Sequence, residues 1–139
     1  MVCNVCETLA VYVVDDDDAV RDSLTALLEP EGFVVRPYSS AEEFLRALTE
    51  HGRDSDGRTC LLLDLHMPGQ GGQELLDFLG SHERNLPVVV MTGNANDRSR
   101  RRALESGAVD FLEKPVDADH LIKSLRVALG GQRRRPNDR

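Results

Sequence analysis

The chain has 139 residues, 40% of them hydrophobic, which fits one globular domain with a core able to stand without disulfides or metal. Its net charge of −7 is unevenly placed, with +3 on residues 130–139 and −10 on residues 1–129, so the body repels nucleic acid and predicts no direct binding of it. No apolar run reaches the length of about eighteen residues that a membrane span needs, and Met1-Val2-Cys3-Asn4 lacks the basic and apolar regions of a signal peptide, so the expected location is cytoplasmic, with no membrane partner.

Residues 1–8 are read as an N-terminal extension. They contain Cys3 and Cys6 in a C-x-x-C, but a zinc ribbon needs a second ligand pair, and only Cys60 remains, inside a strand pattern. An odd number of cysteines also argues against a disulfide framework.

Ala10 to Val14 is a β-branched run without polar alternation, as in a parallel strand covered on both faces, and it stops at Asp15-Asp16-Asp17-Asp18. Val20, Leu24, Leu27 and Leu28 then recur at helical spacing up to Pro30 and Gly32. Asp17 and Asp18 fall at the start of this helix, where the macrodipole favours negative charge. Gly32 to Arg36 reads as a second strand at a sheet edge, bounded by Pro37. Ser40-Ala41-Glu42-Glu43 matches a capping box, with Phe44, Leu45 and Leu48 on the apolar face of a helix to about His51. A polar loop over 52–58 follows.

Cys60 to Leu63 is a third buried strand that ends abruptly in Asp64, before a turn from Pro68 to Gly72. Leu75, Leu76 and Leu79 mark a helix ending near Gly80, and Pro87 to Met91 a fourth strand closed by Thr92-Gly93-Asn94. Between Asn96 and Ser106 only Ala103 and Leu104 are apolar, while Arg98, Arg100, Arg101 and Arg102 crowd one end, so this helix is expected to be mostly exposed. Gly107 supplies its stop. Val109 to Glu113 is the fifth strand, ending at Lys114-Pro115. Asp117 caps a last helix carrying Leu121, Ile122, Leu125 and Leu129, finished by Gly130-Gly131. The domain is thus placed at 9–129, with a basic tail or linker start at 130–139.

Strict alternation of buried strands with helices predicts an α/β fold, a doubly wound parallel five-stranded sheet covered on both faces. Ligands of such sheets bind beyond the carboxyl ends of the strands. There stand Asp15 and Asp16 after the first strand, Asp64 after the third, Thr92 after the fourth and Lys114 after the fifth. Singly, each is ordinary turn or capping chemistry. Jointly they form a set suited to phosphoryl transfer: three carboxylates that a hard cation such as Mg²⁺ would neutralise, a fixed positive charge and a hydroxyl. A carboxylate can itself be the nucleophile, and Asp64, alone at the end of a central strand, is the best placed.

The segments V-V-D-D-D-D-A-V-R, L-L-L-D-L-H-M-P-G, V-V-M-T-G and A-V-D-F-L-E-K-P resemble, in order and spacing, the signature segments of bacterial response-regulator receiver domains. The resemblance covers roughly residues 9 to 129 and is strongest to receivers attached to helix-turn-helix transcription factors of the nitrogen-fixation regulator type. It implies a flavodoxin-like (βα)5 fold with strand order 2-1-3-4-5. It also implies phosphorylation of Asp64 by a sensor histidine kinase. Mg²⁺ would be held by Asp15, Asp16, Asp64 and the backbone carbonyl of His66. Thr92 and Lys114 would bind the phosphoryl group, a cis bond would join Lys114 to Pro115, and Phe111 would be an aromatic switch turning inward with Thr92. The side chains of His66 and Asn94 would gate water at the phosphoryl group.

Such domains catalyse only their own modification and often form phosphorylation-dependent homodimers through the fourth helix and fifth strand. Here the arginines of that surface suggest pairing by charge, with Asp110, Glu113 or Asp119. A haloacid-dehalogenase-like phosphatase is the enzyme alternative, but His66 stands where its second acid is expected. A flavodoxin-like nucleotide carrier would meet repulsion from four aspartates. A degenerate receiver acting only as an interaction domain would not need the intact acid, Thr and Lys set.

Overall fold

The computed structural model describes residues 8–52, 57–66, 71–82 and 85–134. Cys3 and Cys6, and Pro68 and Gly69 of the turn expected after Asp64, lie outside them.

Five strands, β1 (Thr8–Val14), β2 (Phe33–Tyr38), β3 (Gly57–Asp64), β4 (Val88–Thr92) and β5 (Asp110–Glu113), form one sheet in the order β2-β1-β3-β4-β5. All four pairings are parallel. Each strand feeds a helix: α1 (Asp18–Leu28), α2 (Ala41–His51), α3 (Gly72–His82), α4 (Asp97–Glu105) and α5 (Ala118–Arg134). Successive strand residues point to opposite faces, and here both faces are apolar, which explains the unbroken hydrophobic runs. Tyr12, Val14, Leu61, Leu63, Val88 and Val90 pack with residues of α2, α3 and α4 on one face. Val11, Val13, Leu62, Val89 and Met91 pack with α1 and α5 on the other. Among the described residues no helix is long and apolar enough to cross a membrane.

Several expected boundaries move, each for a physical reason. β2 does not stop before Pro37 but runs through it to Tyr38, with Pro37 opposite Val13. An edge strand needs only one of its two hydrogen-bonding sides, so a missing N–H is tolerated there. The capping box of α2 is shifted. Ser40 Oγ accepts from the Glu43 N–H at 3.0 Å, but the Glu43 carboxylate reaches Ser39, accepting from its N–H at 2.7 Å and its hydroxyl at 2.9 Å. Those two bonds, the backbone one foremost, hold the Glu43 carboxyl below its ordinary pKa.

Gly80 is not the end of α3, which continues to His82. A Cβ at Gly80 would stand 3.0 Å from the Ser106 carbonyl oxygen, so the glycine marks a close approach to the turn after α4. Nor do Gly130 and Gly131 end α5, which runs on to Arg134. A glycine stops a helix by taking positive φ, as Gly107 does after α4 with φ 112°, and Gly130 is not among the glycines that do so. The basic tail therefore begins as helix.

α4 is as exposed as its composition implies, with Ala103 its buried residue and Leu104 42% exposed. Its start is fixed by a reciprocal cap, in which Asn96 Oδ1 accepts from the Ser99 N–H at 2.9 Å and Ser99 Oγ accepts from the Asn96 N–H at 3.2 Å. Its far end is tied to α3, because Asp77 accepts from the Ser106 hydroxyl at 2.7 Å and lies 3.5 Å from Arg102. With so little burial, the cap carries much of this helix's stability. Asn96→Ala is expected to cost about 1 kcal/mol, read as faster amide exchange confined to residues 97–106. Unchanged exchange there would show that α4 does not depend on its cap.

Candidate functional site

β1 delivers Asp15 to the carboxyl edge of the sheet, where it is fully buried. Its N–H donates to the Tyr38 carbonyl at 3.2 Å, and its carbonyl accepts from Arg21 Nη1 at 2.6 Å. Its Oδ1 accepts from the Asp17 N–H at 2.9 Å and its Oδ2 from the Lys114 ammonium at 2.9 Å. Asp16 beside it is exposed, and Asp17 caps α1.

β3 ends in Asp64, 3% exposed, whose Oδ1 accepts from the His66 N–H at 3.0 Å and whose Oδ2 lies 3.4 Å from Lys114 Nζ. Thr92 ends β4 one residue beyond Met91, the residue opposite Asp64, and its buried hydroxyl accepts from the Asn94 N–H at 3.1 Å. Lys114 follows β5, its N–H donating to the Thr92 carbonyl at 2.9 Å, and the Lys114–Pro115 bond is cis.

The four strand ends thus converge, as the spacing predicts. Asp15, Asp16, Asp64, His66, Asn94 and Lys114 stand on the wall of an open pocket of about 430 Å³. The Thr92 hydroxyl is not on that wall; Gly93 and Asn94 take its place.

Carboxylate oxygens of Asp15, Asp16 and Asp64 lie within 4.8 Å of one another. Burial pushes the Asp64 carboxyl above its ordinary pKa; the His66 N–H opposes this and the Asp15 charge adds to it. For Lys114, burial works against the ammonium, but its bond to Asp15 and the charges of Asp64 and Asp15 outweigh it and raise its pKa. One ammonium against three carboxylates leaves the cluster net negative. Hard oxygen donors at this separation fit Mg²⁺, which takes few carboxylates and keeps waters.

Two residues of the site carry weaker signals. Gly72 was expected in a turn, but it is the first residue of α3, and a Cβ there would stand 2.4 Å from the Asp64 carbonyl oxygen and 2.6 Å from Leu65 Cα. Arg21 looks like an ordinary surface residue of α1, yet it reaches the Asp15 carbonyl. Phe111 is buried, packed with the α4 side of the core, with the Arg100 guanidinium 5.2 Å from its ring centre. Of the charged groups expected at a dimer surface, Arg102 meets Asp77 within the chain, and Asp110 accepts from the Ser124 hydroxyl at 2.5 Å.

Residues 11–126 match the family model described as the response regulator receiver domain. The chain belongs to the response-regulator receiver domains. This receiver is 44% identical over 124 residues to the transcriptional regulatory protein FixJ of Azorhizobium caulinodans, covering 89% of the chain and 56% of that protein. With FixJ of Bradyrhizobium diazoefficiens the identity is 40% over 119 residues, covering 86% and 56%. The receiver therefore spans little more than half the length of these relatives. Against the crystal structure of FixJ-N it gives a TM-score of 0.76 at 35% identity, covering 89% of this chain and 95% of that one.

The nitrogen-fixation-type resemblance and the expected strand order both hold. Membership of the receiver family over residues 11–126 sets aside the phosphatase and nucleotide-carrier alternatives.

Proposed function

We propose that Asp64 accepts a phosphoryl group from the phosphohistidine of a partner histidine kinase. The observation that carries this reading is the Lys114 ammonium poised between Asp64 and Asp15, 3.4 and 2.9 Å from their carboxylate oxygens, beside an open pocket. Mg²⁺, held by Asp15, Asp16, Asp64 and the carbonyl of His66, would neutralise charge on the phosphoryl oxygens when bound.

An Asp64 carboxylate oxygen attacks phosphorus, the P–N bond to the donor imidazole, protonated on its other ring nitrogen, breaks, and the electron pair stays on that ring, which leaves as neutral imidazole. Lys114 follows a phosphoryl oxygen, loosening its bond to Asp15. Thr92 swings its hydroxyl from the Asn94 turn to the new group, and that movement biases α4 and β5 through Phe111 and the Arg100 above it. Side chains of His66 and Asn94 set how readily water reaches the acyl phosphate and returns Asp64 to its free form.

The readout is control of transcription in a longer regulator, with homodimerisation through the α4–β5 surface as the intermediate step. Exposed Arg98 and Arg101 of α4 would pair there with exposed Glu113 or Asp119. With acetyl phosphate and Mg²⁺ the full chain is expected to gain one phosphoryl group by intact mass, in a linkage cleaved by hydroxylamine, and to gain none after chelation by EDTA. Absence of the mass gain with Mg²⁺ present would leave a receiver that acts as an interaction domain alone.

A further inference from the structure

We propose that Arg21 is the positioning residue of the paired acids Asp15 and Asp16, and through them of the cation site; this rests on the Mg²⁺ reading above. Arg21 lies on the first turns of α1, its N–H bonded to the Asp17 carbonyl at 3.1 Å and its own carbonyl accepting from the Thr25 hydroxyl at 2.9 Å. Its side chain turns back towards the sheet and is only 16% exposed. Nη2 pairs with Asp18, and Nη1 donates to the Asp15 carbonyl at 2.6 Å.

That carbonyl belongs to the peptide unit joining Asp15 to Asp16. A peptide unit is planar, so fixing its oxygen fixes the direction in which the chain leaves Asp15 and hence where the Asp16 carboxylate is carried. The N–H and both carboxylate oxygens of Asp15 are held by Tyr38, Asp17 and Lys114. Arg21 supplies the bond to the one remaining polar atom. Without it, a carbonyl on a fully buried residue loses this partner, and the peptide gains by turning towards water.

The two effects of removing Arg21 have opposite signs, which makes the role testable. As a mere positive charge near an anionic pocket, Arg21 weakens cation binding, so its removal would tighten Mg²⁺. As the anchor of the Asp15–Asp16 peptide, its removal loosens the site and weakens Mg²⁺. Outer partners that orient ligands are worth about 10–100-fold in metal affinity.

The experiment is calorimetric titration of Mg²⁺ alone into the unphosphorylated full chain, for wild type, Arg21→Ala, Arg21→Gln and Arg21→Lys. The expected result is about 10–100-fold weaker binding for Arg21→Ala, with much of it regained by Arg21→Lys, whose ammonium can donate to the same carbonyl. Wild-type or tighter binding by Arg21→Ala overturns the positioning role. If Arg21→Ala does not fold, Arg21→Gln decides, since loss of charge alone predicts tighter binding and loss of the anchor weaker. A wild-type chain that takes up no Mg²⁺ overturns the metal reading and this role with it, whereas equal affinity in all four proteins overturns this role alone.

Discussion

Asp64→Ala gains no phosphoryl group under conditions that phosphorylate the wild-type chain. The loss is expected to be complete because the neighbouring acids are poor substitutes. Asp15 is fully buried with both carboxylate oxygens engaged, by the Asp17 N–H and by Lys114, and Asp16 is held on the same peptide unit, on the rim rather than at the end of a central strand. Removing a nucleophile also removes the covalent intermediate itself, unlike loss of a group that only assists. Intact mass after incubation with acetyl phosphate and Mg²⁺ reads this directly, and equal incorporation by both proteins would sink the assignment.

The isosteric Asp64→Asn adds a stability readout with a definite sign. Burial, with the Asp15 charge behind it, raises the Asp64 pKa, so the folded chain holds this proton more tightly than the unfolded one. The ionised form is therefore a burden at neutral pH, relieved as pH falls through the raised folded value towards the ordinary carboxylate range. Without Mg²⁺ at neutral pH, Asp64→Asn is expected to melt higher than wild type. A lower melting point would mean that the carboxylate's bonds to Lys114 and His66 outweigh its burial.

Gly72→Ala is expected to damage both stability and reactivity. The added methyl would stand 2.4 Å from the Asp64 carbonyl oxygen and 2.6 Å from Leu65 Cα. Both are backbone atoms, so no side chain can swing aside, and either α3 or the end of β3 must shift. Overpacking of this kind costs about 1–3 kcal/mol. Misplacement of Asp64 by about 1 Å would slow phosphorylation by about 10²-fold.

The adjacent Gly71→Ala is the control, since among the described residues its Cβ meets only Glu74 Oε1, at an ordinary 3.5 Å. Urea denaturation and the initial rate of mass gain should separate the two variants, and a Gly72→Ala chain with wild-type values in both would refute the close-approach argument.

The contrast between Gly72 and Asp64 shows how much of the site was legible. Asp64 advertises itself because a carboxylate ending a run of buried leucines is costly unless it has a purpose. The same holds for Asp15 and Asp16 after Ala10 to Val14. Gly72 carries no such mark, since a glycine after a turn that already holds Pro68, Gly69 and Gly71 has many local explanations, and its meaning lies in a strand end eight residues away in sequence. Arg21 closes the segment V-V-D-D-D-D-A-V-R, but what it bonds is hidden similarly, because a charged residue on a helix is ordinarily solvated. Pro37 and Gly130 misled for a related reason: each breaks regular structure only in certain surroundings, at an interior strand for the proline and at positive φ for the glycine.

By itself the sequence determined the alternation of strands and helices, the burial of the sheet on both faces and the identity of the acids, hydroxyl and lysine at its carboxyl edge. These are local signals, written in hydrophobic period and in the residue that ends each run. Only the tertiary structure decided that the Lys114 ammonium, 99 residues from Asp15, lies 2.9 Å from its carboxylate. Only it decided that the Thr92 hydroxyl turns to Asn94, and that Phe111 is buried beneath Arg100. Distances between strand ends follow from the order and register of the whole sheet, and the direction of a side chain follows from what packs around it. Neither is encoded within the few residues that form any one of these segments.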